Sequence, residues 1–352
     1  MRRRRAFSRD VTVAYPHGRD VAEWRRENAS GMRPGGWPYG LDELSQFASV
    51  SAVNLAPPHR GDIVRRLPER LFRHKDDVLL TWDENAAHRA RAQRAAVARF
   101  TGAVWVNDMT ARGERSTVDR LRTTLRRMDG VWVLSSAQLD PMRELLGPSG
   151  PPVAFLPFGI DEGFFSPSPY PERPVVLSVG ADRDRDAQTL LSAMSQIARA
   201  VPEAEILVQS ASRLPTPPGI TRIERVSHAA LRALYARASV VVVATRPNLH
   251  VSGMTVGLEA MASSRPFVAT DTPGAGDYFG RETGILTTPS DPAAIADATL
   301  VLLRDPDLAS RMGASGRREV ERRFTTSRFV ADLATFTGLR GADRLRPSHG
   351  TI

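Results

Sequence analysis

The chain has 352 residues, a formal net charge of +9 at pH 7, 41% apolar side chains and no cysteine. That length points to two domains able to bury roughly 75% of their unfolded surface, so no covalent staple is needed. The lack of cysteine excludes disulfides, thiolate metal sites and a cysteine nucleophile, and no apolar run reaches the ~20 residues of a membrane span.

The chain opens with Arg2-Arg3-Arg4-Arg5 and no apolar stretch follows, unlike a secretory signal. Residues 1–9 read as a basic arm. It either attracts an anionic lipid surface, at about 1 kcal/mol per basic residue, or stands solvated. The expected location is cytoplasmic, with peripheral contact at the inner face of the membrane through this arm as the further option. Arginine carries nearly all the positive charge, since the one lysine is Lys75.

Apolar strands alternate with helical runs, the pattern of a parallel α/β protein. In the first half the strands are expected at Val11–Tyr15, Val50–Leu55, Val78–Trp82, Ala103–Asn107, Val131–Leu134 and Val153–Leu156. Helices are expected at Glu84–Phe100 and Glu114–Met128. A proline-dense passage follows, and residues 158–174 read as an interdomain linker. The alternation then restarts, with strands at Val175–Val179, Glu205–Gln209, Ile220–Val226, Val240–Ala244 and Phe267–Thr270. Helices are expected at Ala187–Ala200 and Ala229–Ala238, within Ser252–Ala262 and between Pro292 and Thr337. The expected domains are residues 10–157 and 175–323. Residues 324–337 form a C-terminal helix that can pack back on the first domain, and residues 338–352 a polar tail. Two parallel sheets joined by a hinge leave a cleft at their strand ends, where ligands of open α/β sheets bind.

The most informative stretch is Ser252-Gly253-Met254-Thr255, opening a helix that carries Glu259. Free backbone N–H groups at a helix start suit an anion. Glu259, about two turns on, can accept hydrogen bonds from a diol while the helix start holds a diphosphate. Phosphate plus ribose diol means a nucleotide; an exposed glutamate on an amphipathic core helix is the plainer alternative. A second candidate is the loop Gly180-Ala181-Asp182-Arg183-Asp184-Arg185-Asp186, where a guanidinium fork suits phosphate oxygens. Asp182 and Asp184 also spell the Asp-x-Asp pattern of divalent-cation sites, a role discounted because the adjacent arginines neutralise the pair. On the first-domain side, Tyr15-Pro16-His17-Gly18 follows a strand and can line the cleft floor. Asp83 either orients an acceptor hydroxyl or takes its proton, or caps the next helix; Asp108 and Ser135 read as caps. The runs Arg89, Arg91, Arg94, Arg99 and Arg120, Arg122, Arg126, Arg127 read as solvated faces, with an anionic acceptor or membrane as the alternative. No nucleic-acid-reading motif accompanies them.

Glu259-Ala260-Met261-Ala262, Arg265-Pro266, Thr270-Asp271-Thr272-Pro273-Gly274 and Gly284-Ile285-Leu286 resemble the donor-binding signature of GT-B glycosyltransferases of the family 4 (group 1) type. Phe155-Leu156-Pro157-Phe158-Gly159-Ile160-Asp161 resembles that family's domain crossover. The resemblance implies a GT-B fold, with two Rossmann-like domains whose parallel sheets face each other across a cleft. It implies a nucleoside-diphosphate-sugar donor in the second domain and a hydroxyl acceptor (glycan, lipid or small molecule) in the first. Relatives retain anomeric configuration and need no metal or cofactor. It assigns ribose binding to Glu259, and places a donor-phosphate contact at Arg185 or its neighbour Arg183. Ser252, Gly253, Met254 and Thr255 complete the donor site, and His17, Gly18 and Asp83 the acceptor side; Arg185, Asp83 and His250 are the candidate catalytic groups. Eight residues before Glu259 relatives carry a second glutamate; here that position is Val251, and His250 or Ser252 is left to supply the polar contact. A nucleotide-sugar epimerase and a non-catalytic nucleotide- or glycan-binding protein share the same layout.

Overall fold

The structure is a computed structural model that describes residues 9–16, 18–55, 77–90 and 98–340. The expectations for the basic arm, His17, Arg91, Arg94 and the last twelve residues lie outside the described residues.

The first half runs β1 (Asp10–Tyr15), α1 (Val21–Ala29), a 3-10 segment (Pro38–Gln46), β2 (Ser49–Asn54), β3 (Val78–Thr81) and α2 (Glu84–Ala90). It continues with β4 (Ala98–Ala103), α3 (Val106–Ala111), α4 (Arg115–Leu125), β5 (Gly130–Val133), α5 (Leu139–Leu146) and β6 (Val153–Phe155). Its strands form one parallel sheet in the order β2-β1-β3-β4-β5-β6.

The second half runs β7 (Val175–Ser178), α6 (Ala187–Ala200), β8 (Glu205–Gln209), β9 (Thr221–Ile223), α7 (His228–Arg237), β10 (Val240–Val243) and α8 (Met254–Ala262). Then come β11 (Phe267–Thr270), β12 (Gly284–Thr287), α9 (Pro292–Arg304), α10 (Pro306–Arg323) and α11 (Thr326–Phe336). Its sheet is parallel too, in the order β12-β11-β10-β7-β8-β9. The central strand β10 is four valines, all buried, as expected of a strand covered by helices on both faces.

One strand is displaced from its expected place. Ala103–Asn107 is not a strand; β4 ends at Ala103 and α3 has begun by Val106. The cause is Glu84, whose buried carboxylate accepts hydrogen bonds from the Val104 and Trp105 amides at 2.9 and 2.7 Å. Those amides are turned away from the ladder, so the strand stops there. The helix expected over Glu84–Phe100 is likewise cut: Ala98–Phe100 belong to β4, paired with Val78–Leu80.

The last helix returns to the first half. Thr326 N–H donates to the Ile160 carbonyl and Ile160 N–H to the Phe324 carbonyl, at 3.0 and 2.7 Å. Gly40, in the 3-10 segment, has φ +67° and meets Thr326 so closely that an added Cβ would lie 2.0 Å from its Cγ2. Gly40→Ala is therefore expected to destabilise the fold by roughly 2–4 kcal/mol, from overpacking plus the left-handed backbone. Denaturant unfolding measures it. Adding Thr326→Ser, which removes the offending methyl, should recover the steric part; no recovery would mean that this contact is not the cause.

Candidate functional site

The carboxyl ends of β7, β8 and β9 and the start of α8 surround a cavity of about 780 Å³. Gly180 and Ala181, Gln209 to Ala211, and Ile223 to His228 line it, with Thr255, Val256 and Glu259 from α8 and Arg33 from the first half. A second cavity of about 180 Å³ shares His228, Thr255 and Glu259 and continues to Arg19, Tyr39 and Phe158 of the first half and crossover. The cleft expected from the sequence is thus one large chamber in the second half with a smaller one facing the first.

The start of α8 is set by local geometry. Gly253 adopts φ +89°, the left-handed conformation that glycine tolerates, and the Ser252 amide is held by Asn248 Oδ1 at 2.8 Å. Arg185 reaches this helix start from the loop after β7. A Cβ on Gly253 would lie 2.9 Å from Arg185 Nη1, and one on Gly180 (φ +104°) would clash with Nη2. The two glycines make the space in which the guanidinium lies. Its Nε is buried without a hydrogen-bond partner. A fork beside free helix amides is a preformed receptor for phosphate oxygens.

Glu259 projects from the next turn of α8 and accepts a hydrogen bond from the Tyr235 hydroxyl at 2.7 Å. Burial pushes its carboxyl up to about 7, although Tyr235 and Arg185 both pull it down. Thr255 is exposed toward both cavities. Met254 is buried in the core, and the Ser252 hydroxyl is buried without a partner.

Other candidates lie elsewhere. Arg183 packs over the Trp105 ring, 4.7 Å from its centroid, and its Nε is 3.8 Å from Asp184. It therefore faces the first half, and Arg185 is the arginine beside the helix start. Asp83 accepts a hydrogen bond from the Ala86 amide at 2.8 Å, the geometry of a helix cap, while burial raises its pKa. Gly18 has φ +88° and open space around it.

His250 does not line either cavity. Its Nδ1 lies 2.7 Å from Asp108 Oδ2, and Asp108 Oδ1 accepts from the Leu249 amide at 2.8 Å. Asp108 is thus a partner of the second half, not the cap expected from the sequence. Burial alone would lower the His250 pKa, but Asp108 and Asp182 outweigh it and raise the value to about 9. An imidazole so held carries its proton at neutral pH and is a poor general base. Val251, next to it, is buried at φ +53°, rare for a β-branched residue.

Sequence reasoning missed Tyr235, Gln209 and His228. Gln209 accepts from the Gly180 amide at 3.1 Å and donates to the Glu224 carbonyl at 3.0 Å, bracing the chamber wall. Burial, then Arg33, Arg19 and Arg225, lower the His228 pKa to about 4, so it is neutral and its Nδ1 accepts from Arg33 at 3.1 Å. No motif spacing marks these residues; only their positions at the end of β8 and in the first and last turns of α7 could have suggested them.

Residues 173–305 match the family model described as "Glycosyl transferases group 1". A GDP-mannose-dependent alpha-(1-6)-phosphatidylinositol monomannoside mannosyltransferase of Mycobacterium tuberculosis is 30% identical over 257 residues. That stretch covers 64% of this chain and 66% of the relative's length. Among solved structures, a sucrose-phosphate synthase from Thermosynechococcus elongatus superposes with TM-score 0.69 at 18% identity, over 93% of this chain and 98% of that one. Anabaena HepE, solved with UDP and glucose, gives 0.66 at 15% identity, over 94% and 99%. Residues 173–305 are a group 1 glycosyltransferase segment, and the chain has the GT-B fold, two Rossmann-like parallel sheets flanked by helices.

Proposed function

We propose that the protein transfers a sugar from a nucleoside-diphosphate donor to a hydroxyl acceptor, with retention of configuration. The observation that carries this reading is that Arg185 lies against Gly180 and Gly253, near enough to Glu259 to lower its pKa, while Gly180 and Glu259 line the 780 Å³ chamber. Arg185 and the α8 amides hold the diphosphate in place of a metal, and Glu259 holds the ribose diol. The base lies toward Gln209 and the segment after β9. The acceptor enters from the smaller cavity, past Arg19 and Tyr39. The Mycobacterium relative makes GDP-mannose the first donor to try, and its phosphatidylinositol monomannoside makes an anionic lipid the first acceptor. Among the described residues no helix is long and apolar enough to cross a membrane, so contact with such an acceptor is peripheral in this reading.

Calorimetry with GDP, UDP, dTDP and ADP and their sugar conjugates, with and without magnesium, tests it. One nucleotide should bind equally well without magnesium; binding of none, or only with magnesium, would remove the proposed donor site. A second reading, donor binding without turnover, draws on Val251, which offers a sugar no polar atom. Binding without product across an acceptor screen would favour it.

Donor affinity should also depend on pH. Below about 7 the Glu259 carboxyl is protonated, and above it the carboxylate accepts from both ribose hydroxyls. Affinity is therefore expected to rise between about pH 6 and 8 at fixed ionic strength, and a flat profile would argue against Glu259 as the diol ligand.

A further inference from the structure

Outside both cavities, Asp182, Asp184 and His250 each offer one ligand atom, all within 4.8 Å of one another. His250 Nε2 is 3.6 Å from Asp182 Oδ2 and 3.9 Å from Asp184 Oδ2, too far to hydrogen-bond to either. The His250 side chain is only 4% exposed, and Nε2 has no acceptor within hydrogen-bond distance. As an imidazolium this nitrogen has two carboxylates in ion-pair range and a hydrogen bond to neither; a cation taking the place of its proton would give it a bond.

The geometry points to a divalent transition-metal site, of the Zn²⁺ or Mn²⁺ class, held by Asp182 Oδ2, Asp184 Oδ2 and His250 Nε2. Zinc–ligand bonds of about 2.0–2.2 Å put two tetrahedral ligands roughly 3.4 Å apart, close to the spacings around Nε2. One nitrogen and two oxygens suit these ions better than Mg²⁺ or Ca²⁺, which prefer oxygen alone.

The surroundings are built for the same purpose. Asp108 holds Nδ1 from behind, the outer-shell carboxylate that fixes the tautomer of most metal-ligating histidines. Asp182 Oδ1 is occupied by the Asp184 amide at 2.8 Å, which leaves Oδ2 for the ion. Arg112 Nη1 lies 3.2 Å from Asp184 Oδ1 and 3.5 Å from Oδ2, and Arg183 Nε 3.8 Å from Oδ2, so an ion at Oδ2 competes with both guanidiniums there and leaves Arg112 its shorter bond to Oδ1. The left-handed Val251 is local strain beside the ligand it helps to aim. All three ligands belong to the second half, and Asp108 and Arg112 brace two of them from the first. The site is separate from the donor chamber and does not depend on the glycosyltransferase reading.

The test is to titrate ZnCl₂, and separately MnCl₂, into chelator-treated full-length protein and measure heat, bound metal and thermal midpoint. One ion per chain is expected, with a raised midpoint. Asp182→Asn and His250→Gln should each weaken binding at least tenfold, and Asp307→Asn, exposed on α10, should not. If His250→Gln fails to fold, Asp182→Asn decides, since that side chain is partly exposed. No saturable binding by folded protein would overturn the site and leave His250 as an imidazolium among carboxylates. Binding that Asp182→Asn leaves within twofold would overturn it as well.

Discussion

Glu259→Ala is expected to weaken binding of the nucleotide donor by roughly 2–4 kcal/mol, or about 30- to 1000-fold, if the carboxylate holds two hydroxyls by charge-assisted bonds. The size follows from position. Glu259 is partly buried on α8, and its carboxylate borders both cavities. It leaves one oxygen to Tyr235 and turns the rest of its acceptor capacity to the chamber. Removing it also strands the buried Tyr235 hydroxyl, so part of any loss could come from the fold. Glu259→Gln separates the two effects, because its amide oxygen still accepts from Tyr235 while the charge is gone. The measurement is calorimetry at about pH 8, above the value of about 7 to which burial raises the carboxyl. Unchanged affinity in a folded alanine variant would sink the assignment.

Much of the second half was legible in the sequence because its strands are short, buried and uninterrupted. Val240–Val243 and Phe267–Thr270 are apolar or small at every position, and helix α6 was bounded to the residue by its Asp186 cap. That Glu259 and Arg185 stand near one helix start could be expected from their steps along the chain and from the family resemblance, which also supplies their assigned roles. What could not be read depends on contacts far apart in the chain. Asp108 follows the expected strand and so reads as a helix cap, yet it lies in the first turn of α3 and is spent on His250, 142 residues away. Ala103–Asn107 has strand-like composition, but Glu84 captures its amides from another segment. The Asp-x-Asp pattern was set aside on the charge of its arginine neighbours. In the fold Arg183 packs on Trp105 yet stays beside Asp184, and Arg185 packs on Gly180 and Gly253 yet still lowers the Asp182 pKa. What the sequence neighbours could not show is that His250, from another segment, stands against the same two carboxylates.

Arg185→Ala should lower turnover by about 10²- to 10³-fold, the usual loss when one preorganised donor to a developing charge is removed, and should change donor affinity much less. The guanidinium is fixed before any ligand arrives, packed against Gly180 and Gly253 with its Nε buried. Such a group gains most when negative charge collects on the leaving diphosphate. Arg185→Lys should not restore activity, because a single ammonium cannot reproduce the fork. The converse result, a large loss of affinity with turnover preserved at saturation, would make Arg185 a simple anchor. A second readout distinguishes either role from a structural one. The positive charge of Arg185 helps to hold the Glu259 pKa down against burial. Without it that carboxyl should titrate above its present value of about 7, and the rise of donor affinity with pH should shift to higher pH. A variant that loses turnover but keeps the wild-type pH profile would place Arg185 too far from Glu259 for both to grip one nucleotide.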